Sequence, residues 1–236
     1  MTIGRIHSIE TMGLVDGPGI RIVVFFQGCA LRCKYCHNPD TWENGCGETY
    51  TPEEIVSKLI KYKPYFDTSN GGVTFSGGEP LLQKEFLIEI LKLCKKEGIH
   101  TCIDTAGFGR GDYEEILKYT DLVLFDVKDV TRERYKAITL RDMDESIKFM
   151  EALNKSNVKV WVRHVVVPGL TDGVDHIREL KKFISNINNV EKVELLPYHV
   201  LGVNKYEKME LHYPLEGVPQ MDKEVMKTYN DILKEI

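Results

Sequence analysis

The sequence has no long apolar run, and this sets the first limit on what the protein can be. No stretch of its 236 residues approaches the roughly 18 consecutive apolar residues of a membrane span. Basic residues are not in excess either, because 31 Lys and Arg against 36 Asp and Glu give a net charge of −5. This balance argues against broad electrostatic capture of DNA or RNA. With 42% hydrophobic and 28% charged residues, the composition excludes a disordered or collagen-like chain.

The sequence also lacks a secretory signal and any linker. The first residues, Met1 to His7, contain neither an apolar segment nor a small-residue cleavage site. We therefore expect a cytoplasmic protein whose thiols are kept reduced and which has no membrane partner. No low-complexity segment interrupts the chain, so we expect a single domain over residues 1–236.

What recurs along the chain is a short apolar run followed by an amphipathic helical pattern. The runs are rich in β-branched or aromatic residues, as buried strands are, and they are Ile20–Gln27, Gly72–Ser76, His100–Asp104, Leu122–Val127, Val158–Val166 and Val193–Leu196. Alternation of strand and helix predicts a parallel sheet with right-handed crossovers. Six units are too few for a complete eight-stranded barrel of about 250 residues. We predict an α/β fold, an incomplete (β/α)6 TIM-like barrel, and an open doubly wound sheet fits the same pattern.

Helix signals lie between these runs. Thr51-Pro52-Glu53-Glu54 predicts a helix start with Thr51 as the cap and Pro52 at the first position. Spacings of three and four predict the buried faces of four helices, which are Ile55 and Leu59; Phe86, Leu87, Ile90, Leu91 and Cys94; Ile177, Leu180, Ile184 and Ile187; and Val225, Tyr229, Ile232 and Leu233.

The six cysteines fall into a close group and a scattered group. The close group is Cys29, Cys33 and Cys36, and the scattered group is Cys46, Cys94 and Cys102. Close cysteines in a cytosolic protein indicate metal binding or redox chemistry rather than a disulfide framework. The spacing C-x3-C-x2-C, with no fourth cysteine nearby, suggests a cubane iron–sulfur cluster with one iron left open for a ligand. A structural zinc site that uses His37 and a one-cluster electron carrier are the alternatives, whereas the scattered cysteines are expected to be ordinary residues.

The close group resembles the motif of the radical S-adenosylmethionine (SAM) enzymes, C-x3-C-x-aromatic-C, with Tyr35 in the aromatic place. The flanking stretches resemble the signature of the activating enzymes of glycyl radical enzymes: Asp16-Gly17-Pro18-Gly19-Ile20-Arg21, Phe25-Phe26-Gln27-Gly28-Cys29 and Cys36-His37-Asn38. Several members of that family carry a ferredoxin-like insert after the motif. Here Cys46 is the only cysteine between Cys36 and Gly77, too few for an insert with further clusters, which favours the pyruvate formate-lyase type.

The resemblance implies that Cys29, Cys33 and Cys36 hold a [4Fe-4S] cluster and that SAM chelates its open iron. In this family the stretch Ser76–Pro80 binds the methionine amino group. Its two glycines allow close backbone approach to a ligand, and a plain strand-to-helix turn is the alternative. The SAM-contacting residues implied in this way are Tyr35, Cys36, His37, Gly77, Gly78, Glu79, Asp104, Asp126, Val127, Lys128, Arg163 and His199.

Polar residues at strand ends enter this set because ligand-binding residues of such folds gather there. Asp104 and Asp126 can accept from the SAM ammonium, and Lys128 can balance its carboxylate; a buried Asp–Lys pair is the alternative. For Arg163 the alternative to SAM is a structural ion pair. The resemblance further implies that Asp104, Thr105 and Asp126 hold a monovalent cation beside SAM.

The resemblance implies an anaerobic enzyme that activates formate acetyltransferase (pyruvate formate-lyase). One electron from a flavodoxin or ferredoxin would cleave SAM to methionine and a 5′-deoxyadenosyl radical, which removes hydrogen from a backbone glycine of the partner. No side chain is needed as a catalytic acid or base, and we expect a monomer. The rival functions are an activator of another glycyl radical enzyme, a radical SAM enzyme acting on a small molecule or RNA, and a non-catalytic zinc or electron-transfer module. Asp16, Arg21 and Cys46 receive no role.

Overall fold

An eight-stranded sheet forms the centre of the computed structural model, which describes residues 2–234. Its strands are β1 (Gly4–Gly13), β2 (Arg21–Phe26), β3 (Glu48–Tyr50), β4 (Gly72–Gly77), β5 (His100–Thr105), β6 (Leu122–Asp126), β7 (Lys159–Val166) and β8 (Val190–Pro197). Their order across the sheet is β3-β1-β2-β4-β5-β6-β7-β8, parallel from β2 to β8 and antiparallel for β1 with β2 and with β3. The six predicted parallel strands are confirmed, and the sheet stays open instead of closing into a barrel.

Two strands, β1 and β3, were not predicted. Most of β1 is exposed or half-buried, so its sequence lacks the apolar run by which the parallel strands are recognised. β3 has only three residues. Both extend the sheet beyond β2, and Ile6 of β1 pairs with Phe26, the last residue of β2 before the cysteine motif.

Helices connect the strands. They are α1 (Pro52–Ile60), α2 (Lys63–Ser69), α3 (Lys84–Lys96), α4 (Glu114–Leu117), α5 (Arg132–Thr139), α6 (Asp144–Asn154), α7 (Val174–Ile184), α8 (Val203–Lys208) and α9 (Lys223–Lys234), with 3-10 turns at Pro39–Thr41 and Pro80–Gln83. The predicted start of α1 is a capping box, in which the N–H of Glu54 donates to Thr51 Oγ1 at 3.3 Å and Glu54 Oε2 accepts from the N–H of Thr51 at 2.8 Å. Within residues 2–234 no helix is long and apolar enough to cross a membrane.

The predicted buried faces hold for three helices and fail in part for the fourth. All residues predicted for α1 and α3 are buried, as are those for α7 together with Ile187 just beyond its end. In α9, Tyr229 is buried as predicted, but Val225 is 37% exposed and Met226 is buried in its place. The predicted C-terminal helix is confirmed as α9, and its inward face runs through residues 226 and 229 instead of 225.

The two faces of the sheet have different cores. One face packs against the helices through alternate strand residues such as Val73, Ile103 and Val123. The other, inner face carries a small separate cluster of Cys102, Leu122 and Leu124 with Trp161 beside it. Because side chains alternate along a strand, the strand-end residues Asp104, Asp126 and Arg163 lie on this inner face, two positions after Cys102, Leu124 and Trp161. The inner face corresponds to the inside of the predicted incomplete barrel.

β8 forms one edge of the sheet, and its first half is charged. Glu191 and Lys192 are exposed, whereas Glu194 is half-buried on the inner face. Lys159 of β7 has its Nζ 2.7 Å from Glu191 Oε1, and Lys192 Nζ is 2.6 Å from Glu194 Oε1.

Candidate functional site

The cysteine loop, residues 27–42, follows β2 and folds back to its own start. The backbone N–H of Gly28 donates to Thr41 O at 2.7 Å. Inside the loop, the N–H of Cys36 donates to Cys33 O at 3.0 Å and closes a tight turn between these two cysteines. These bonds fix the backbone that carries the close cysteines.

A cavity of about 250 Å³ lies between this loop and the carboxyl ends of the parallel strands. All three close cysteines line it as free thiols. Burial raises the pKa of Cys33 to about 12, and coordination to a metal deprotonates such a thiol outright. The other lining residues are Leu31, Tyr35, His37, Asn38, Thr41, Trp42, Ser76, Gly77, Gly78, Glu79, Asp104, Thr105, Ala106, Asp126, Lys128, Val165 and Leu196.

Two glycines bring the turn after β4 against the cysteine loop. Gly77 has a φ of +109°, a backbone conformation that residues with a Cβ rarely adopt. A Cβ on Gly78 would lie 2.2 Å from Gly28 O. The N–H of Gly78 donates to Phe26 O and the N–H of Glu79 to Gly28 O, both at 2.9 Å. This close approach, more than turn formation itself, requires glycine at both positions.

Glu79 is buried, and its carboxylate is already hydrogen-bonded. Oε1 accepts from Thr105 Oγ1 at 2.5 Å and from the N–H of Leu81 at 3.2 Å, and Oε2 accepts from the N–H of Ala106 at 3.0 Å. Burial raises the pKa of Glu79 to about 7, against the opposing effect of these bonds. The carboxylate therefore ties the turn after β4 to the residues that follow β5.

Asp104, Asp126 and Lys128 form the polar end of the cavity. Ser76 Oγ donates to Asp104 Oδ2 at 2.8 Å, and burial raises the pKa of Asp104. Lys128 Nζ pairs with Asp126 Oδ2 and lies 5.5 Å from the centre of the Tyr35 ring. The Asp–Lys pair that the sequence left as an alternative is present, and because both partners line the cavity it is compatible with contact to a ligand.

Four buried side-chain atoms among the described residues have no hydrogen-bond partner, and two of them belong to the cavity wall. These two are the hydroxyl of Tyr35 and Oδ1 of Asp126; the others are Oδ2 of Asp129 and the hydroxyl of Tyr135. Leaving a buried polar atom unpaired costs roughly 1–3 kcal/mol, so such atoms at a cavity wall indicate a polar ligand. Three free thiols beside these atoms fit an iron–sulfur cluster with a polar cofactor next to it.

Three of the predicted contacts, Val127, Arg163 and His199, are outside the cavity lining. Val127 is buried, and its N–H donates to Arg163 O at 2.9 Å. Arg163 Nε lies 3.0 Å from Glu194 Oε2, and its Nη1 lies 3.9 Å from Asp104 Oδ2. The ion pair that the sequence left open for Arg163 is therefore formed.

His199 contacts the cysteine loop. Its ring stacks on that of His37 with 4.2 Å between centroids, and His37 Nε2 donates to the His199 carbonyl at 2.9 Å. This bond occupies Nε2 of His37 and ties the cysteine loop to the segment that follows β8. In the part of the chain that the structure covers, no three His, Cys, Asp or Glu side chains are arranged to hold a metal ion. A zinc site needs side chains that converge on one ion, whereas the three cysteines of a cubane each bind a different iron and need not converge.

Seven lining residues were not predicted, namely Leu31, Asn38, Thr41, Trp42, Ala106, Val165 and Leu196, and Ser76 was expected only as part of the stretch Ser76–Pro80. Strand alternation gives a signal for two of them, because Val165 follows Arg163 by two positions and Leu196 follows Glu194 in the same way. Ser76 directly precedes the glycine pair. Trp42 carries no such signal, since its place depends on the return of the cysteine loop.

A larger cavity, of about 820 Å³, lies at the opposite, amino-terminal ends of β5, β6 and β7. None of the predicted site residues lines it, and four lysines do: Lys95, Lys118, Lys155 and Lys159. Ligands of parallel α/β folds bind at the carboxyl ends of strands. The smaller cavity, with its cysteines, is therefore the candidate site.

Known proteins are similar to this chain over most or all of its length. Residues 23–184 match the family model of the Radical SAM superfamily. The chain is 63% identical over 236 residues to the pyruvate formate-lyase-activating enzyme of Clostridium pasteurianum, covering 100% of this chain and 99% of that protein. It is 46% identical over 236 residues to the pyruvate formate-lyase 1-activating enzyme of Escherichia coli (strain K12), covering 99% and 96%. A solved domain of the pyruvate-formate lyase-activating enzyme of Bacteroides vulgatus ATCC 8482 has a TM-score of 0.58 and 27% identity, covering 70% of this chain and 94% of the domain.

Proposed function

We propose that this chain activates formate acetyltransferase. The premise is its family, because the chain belongs to the radical SAM superfamily and within it to the pyruvate formate-lyase-activating enzymes. It would generate a radical on a backbone glycine of that protein under anaerobic conditions. As a radical SAM oxidoreductase it uses a [4Fe-4S] cluster and SAM. The observation that carries the proposal is that three cysteines spaced as C-x3-C-x2-C line one cavity with unpaired polar groups.

Cys29, Cys33 and Cys36 are the proposed ligands of the cluster, which leaves one iron for SAM. The chemistry that this group supplies when bound is the one-electron reductive cleavage of SAM to methionine and a 5′-deoxyadenosyl radical, which takes a hydrogen atom from the glycine. The chain's own residues bind and orient these partners and keep water out. No side chain is assigned as a general acid or base.

SAM would occupy the cavity beside the cluster. Asp104 and Asp126 offer acceptors for its ammonium, and Lys128 offers a donor for its carboxylate. Val127 and Arg163 adjoin this polar end. The remaining proposed contacts form two groups. Near the adenine they are the backbone of Tyr35, Cys36 and His37, with His199 stacked on His37, and near the methionine end they are the glycine turn of Gly77, Gly78 and Glu79.

Asp104, Thr105 and Asp126 are the proposed ligands of a monovalent cation beside SAM. All three line the cavity, and Asp126 Oδ1 has no partner among the described residues. Carboxylate and hydroxyl oxygens suit a hard cation.

The protein substrate would reach the cavity from the inner face of the sheet. That face is accessible because the sheet does not close between β3 and β8, so a loop of another polypeptide can enter. A flavodoxin or ferredoxin would deliver the electron. We also propose that the chain is one domain over residues 1–236 that acts as a cytoplasmic monomer without nucleic-acid or membrane partners.

The test combines the anaerobically reconstituted protein with SAM, a chemical reductant and formate acetyltransferase, and records the electron paramagnetic resonance spectrum. A glycyl radical signal is the expected result. SAM cleavage without that signal would reassign the substrate to another glycyl radical enzyme, the alternative function. Zinc without sulfide in the reconstituted protein would overturn the radical chemistry.

Two buried cysteines provide matched variants for the cluster assignment. Burial raises the pKa of both Cys33 and Cys94 to about 12, so both are buried thiols, but only Cys33 lines the cavity. Cys33→Ala should abolish SAM cleavage, and Cys94→Ala should leave it intact. The reverse pattern would refute the assignment.

A further inference from the structure

The cysteine loop has an outer side that the proposed function does not use. Along residues 31–35 burial alternates: Leu31, Cys33 and Tyr35 are buried and line the cavity, whereas Arg32 and Lys34 are half-buried and lie outside its lining. One layer of polypeptide therefore separates the proposed cluster ligands from solvent, and the outward residues of that layer are basic.

This layer rests on the end of α5. The N–H of Arg32 donates to Thr139 O at 2.9 Å, and the N–H of Lys34 donates to Ile138 O at 3.1 Å. Leu140 follows directly, with a left-handed φ of +58° and 59% of its surface exposed. A large apolar side chain thus stands on the surface beside the two basic residues.

We call Arg32, Lys34, Lys136 and Arg141 the cationic rim. Lys136 accepts the backbone bond from the N–H of Leu140, Arg141 follows Leu140 in the chain, and Arg32 and Lys34 are bonded through their backbone to the two residues before it. Lys136 and Arg141 are exposed, and Asp142 is the carboxylate beside them, 2.9 Å from Lys136 Nζ. Arg32 is held in place, because its Nη1 donates to Cys29 O at 2.7 Å and its guanidinium lies 4.8 Å from the centre of the Trp42 ring. The rim is positive on a chain whose net charge is −5.

We propose that the cationic rim with Leu140 is the docking surface for the protein that delivers the electron, a small electron-transfer protein with an acidic surface around its redox centre. The inference rests on the proposed function, since it concerns how the electron enters that site. The rate of electron transfer between proteins falls steeply with distance, so a donor must dock where little polypeptide separates it from the cluster. Complementary charge would steer its approach, and Leu140 would give an apolar contact at the centre of the interface.

The step is a simple transfer. One electron leaves the reduced donor and reduces the oxidised cluster by one electron, and no bond forms or breaks. The prediction therefore concerns the association rate of two proteins and not the subsequent chemistry. It follows that changes at the rim should slow reduction by a protein and spare reduction by a small neutral molecule.

The experiment uses the full-length reconstituted protein with Lys34→Glu and Arg141→Glu combined. Reduced flavodoxin and reduced ferredoxin are tested separately, and the one that reduces the wild-type cluster faster is kept. Stopped-flow absorbance should show a second-order rate constant about tenfold lower at low ionic strength, with a weaker salt dependence. Reduction by photoreduced 5-deazariboflavin and the iron and sulfide contents should be unchanged.

Two further variants keep the test sharp. Leu140→Asn removes the apolar contact at a position where asparagine tolerates the left-handed backbone, so it should fold and still slow donor-driven reduction severalfold. The matched control combines Lys118→Glu with Lys155→Glu at the larger cavity, which makes the same change in net charge at the other ends of the strands. This control should keep the wild-type rate with the protein donor.

Three results would overturn the docking surface. They are a rim variant with the wild-type donor rate, an equal loss in the control, and normal cluster reduction with loss of the glycyl radical, which would assign the rim to formate acetyltransferase. If donor-driven reduction depends on the rim while even the wild-type protein yields no glycyl radical, the docking surface is supported and the proposed function fails.

Discussion

Replacing Gly78 by alanine tests how closely the glycine turn must approach the cysteine loop. The added Cβ would lie 2.2 Å from Gly28 O and 3.1 Å from Thr41 O, which are both backbone atoms. Reaching the 3.4 Å of an ordinary contact with Gly28 O requires a shift of 3.4 − 2.2 = 1.2 Å. No flexible side chain can absorb this movement, so the turn and the cysteine loop must separate.

The size of the effect follows from these contacts. Overpacking costs about 1–3 kcal/mol, and loss of the 2.9 Å bond from the N–H of Glu79 to Gly28 O adds about 1 kcal/mol. A total of about 2–4 kcal/mol lowers the Tm of a chain of this size by roughly 5–15 °C. Because Gly28 adjoins Cys29, we also expect the variant to bind less iron and sulfide.

Gly98→Ala is the control, since Gly98 has a φ of +66° and a Cβ there would meet open space. It carries backbone strain of about 1–2 kcal/mol and no overlap. Anaerobic circular dichroism gives the Tm of both variants, and metal and sulfide analysis gives their cluster content. If Gly78→Ala is no less stable than Gly98→Ala and binds a full cluster, the reasoning from the close approach is refuted.

Three further predictions concern the surroundings of the site. Burial lowers the pKa of His164 from 6.5 to about 4, so protonation favours the unfolded chain. The free energy of unfolding should therefore fall by up to about 3 kcal/mol as the pH drops from 6.5 to 4. In urea unfolding at several pH values, His164→Gln should lose this acid sensitivity, and an unchanged profile would contradict the assignment. Lys128→Met leaves Asp126 without its cation and should weaken SAM binding about tenfold in equilibrium dialysis, whereas an unaltered affinity would argue against contact with SAM. Tyr206→Phe removes the hydroxyl that donates to Cys36 O at 3.0 Å and should cost about 1 kcal/mol in thermal unfolding, so a Tm equal to the wild-type value would show that this bond contributes nothing.

The parallel part of the fold could be predicted because its strands are buried on both faces and read as continuous apolar runs. β1 could not, since most of its residues are exposed or half-buried and its pairing depends on β2. The polar cluster was predictable in part: the rule that ligands bind at strand ends locates Asp104, Asp126 and Lys128 at the cavity.

The same rule does not bring two neighbours into the cavity lining, and the reason is physical. Val127 is one position beyond Asp126, so strand alternation turns its side chain to the opposite face, where it is buried. Arg163 is on the inner face, but its guanidinium is engaged by Glu194 of the adjacent strand. The register of β7 and β8 decides which charged residue lies opposite Arg163. The spacing of residues within one segment carries no information about that register.

The charged first half of β8 bears on how the chain avoids aggregation. An open sheet ends in a strand whose backbone N–H and C=O groups can recruit a strand from another molecule. Glu191, Lys192 and Glu194 are charged residues of β8 that are exposed or half-buried, so a copy docking there would have to desolvate these charges. The sheet can therefore remain open to a substrate loop without its edge serving as a template for self-association.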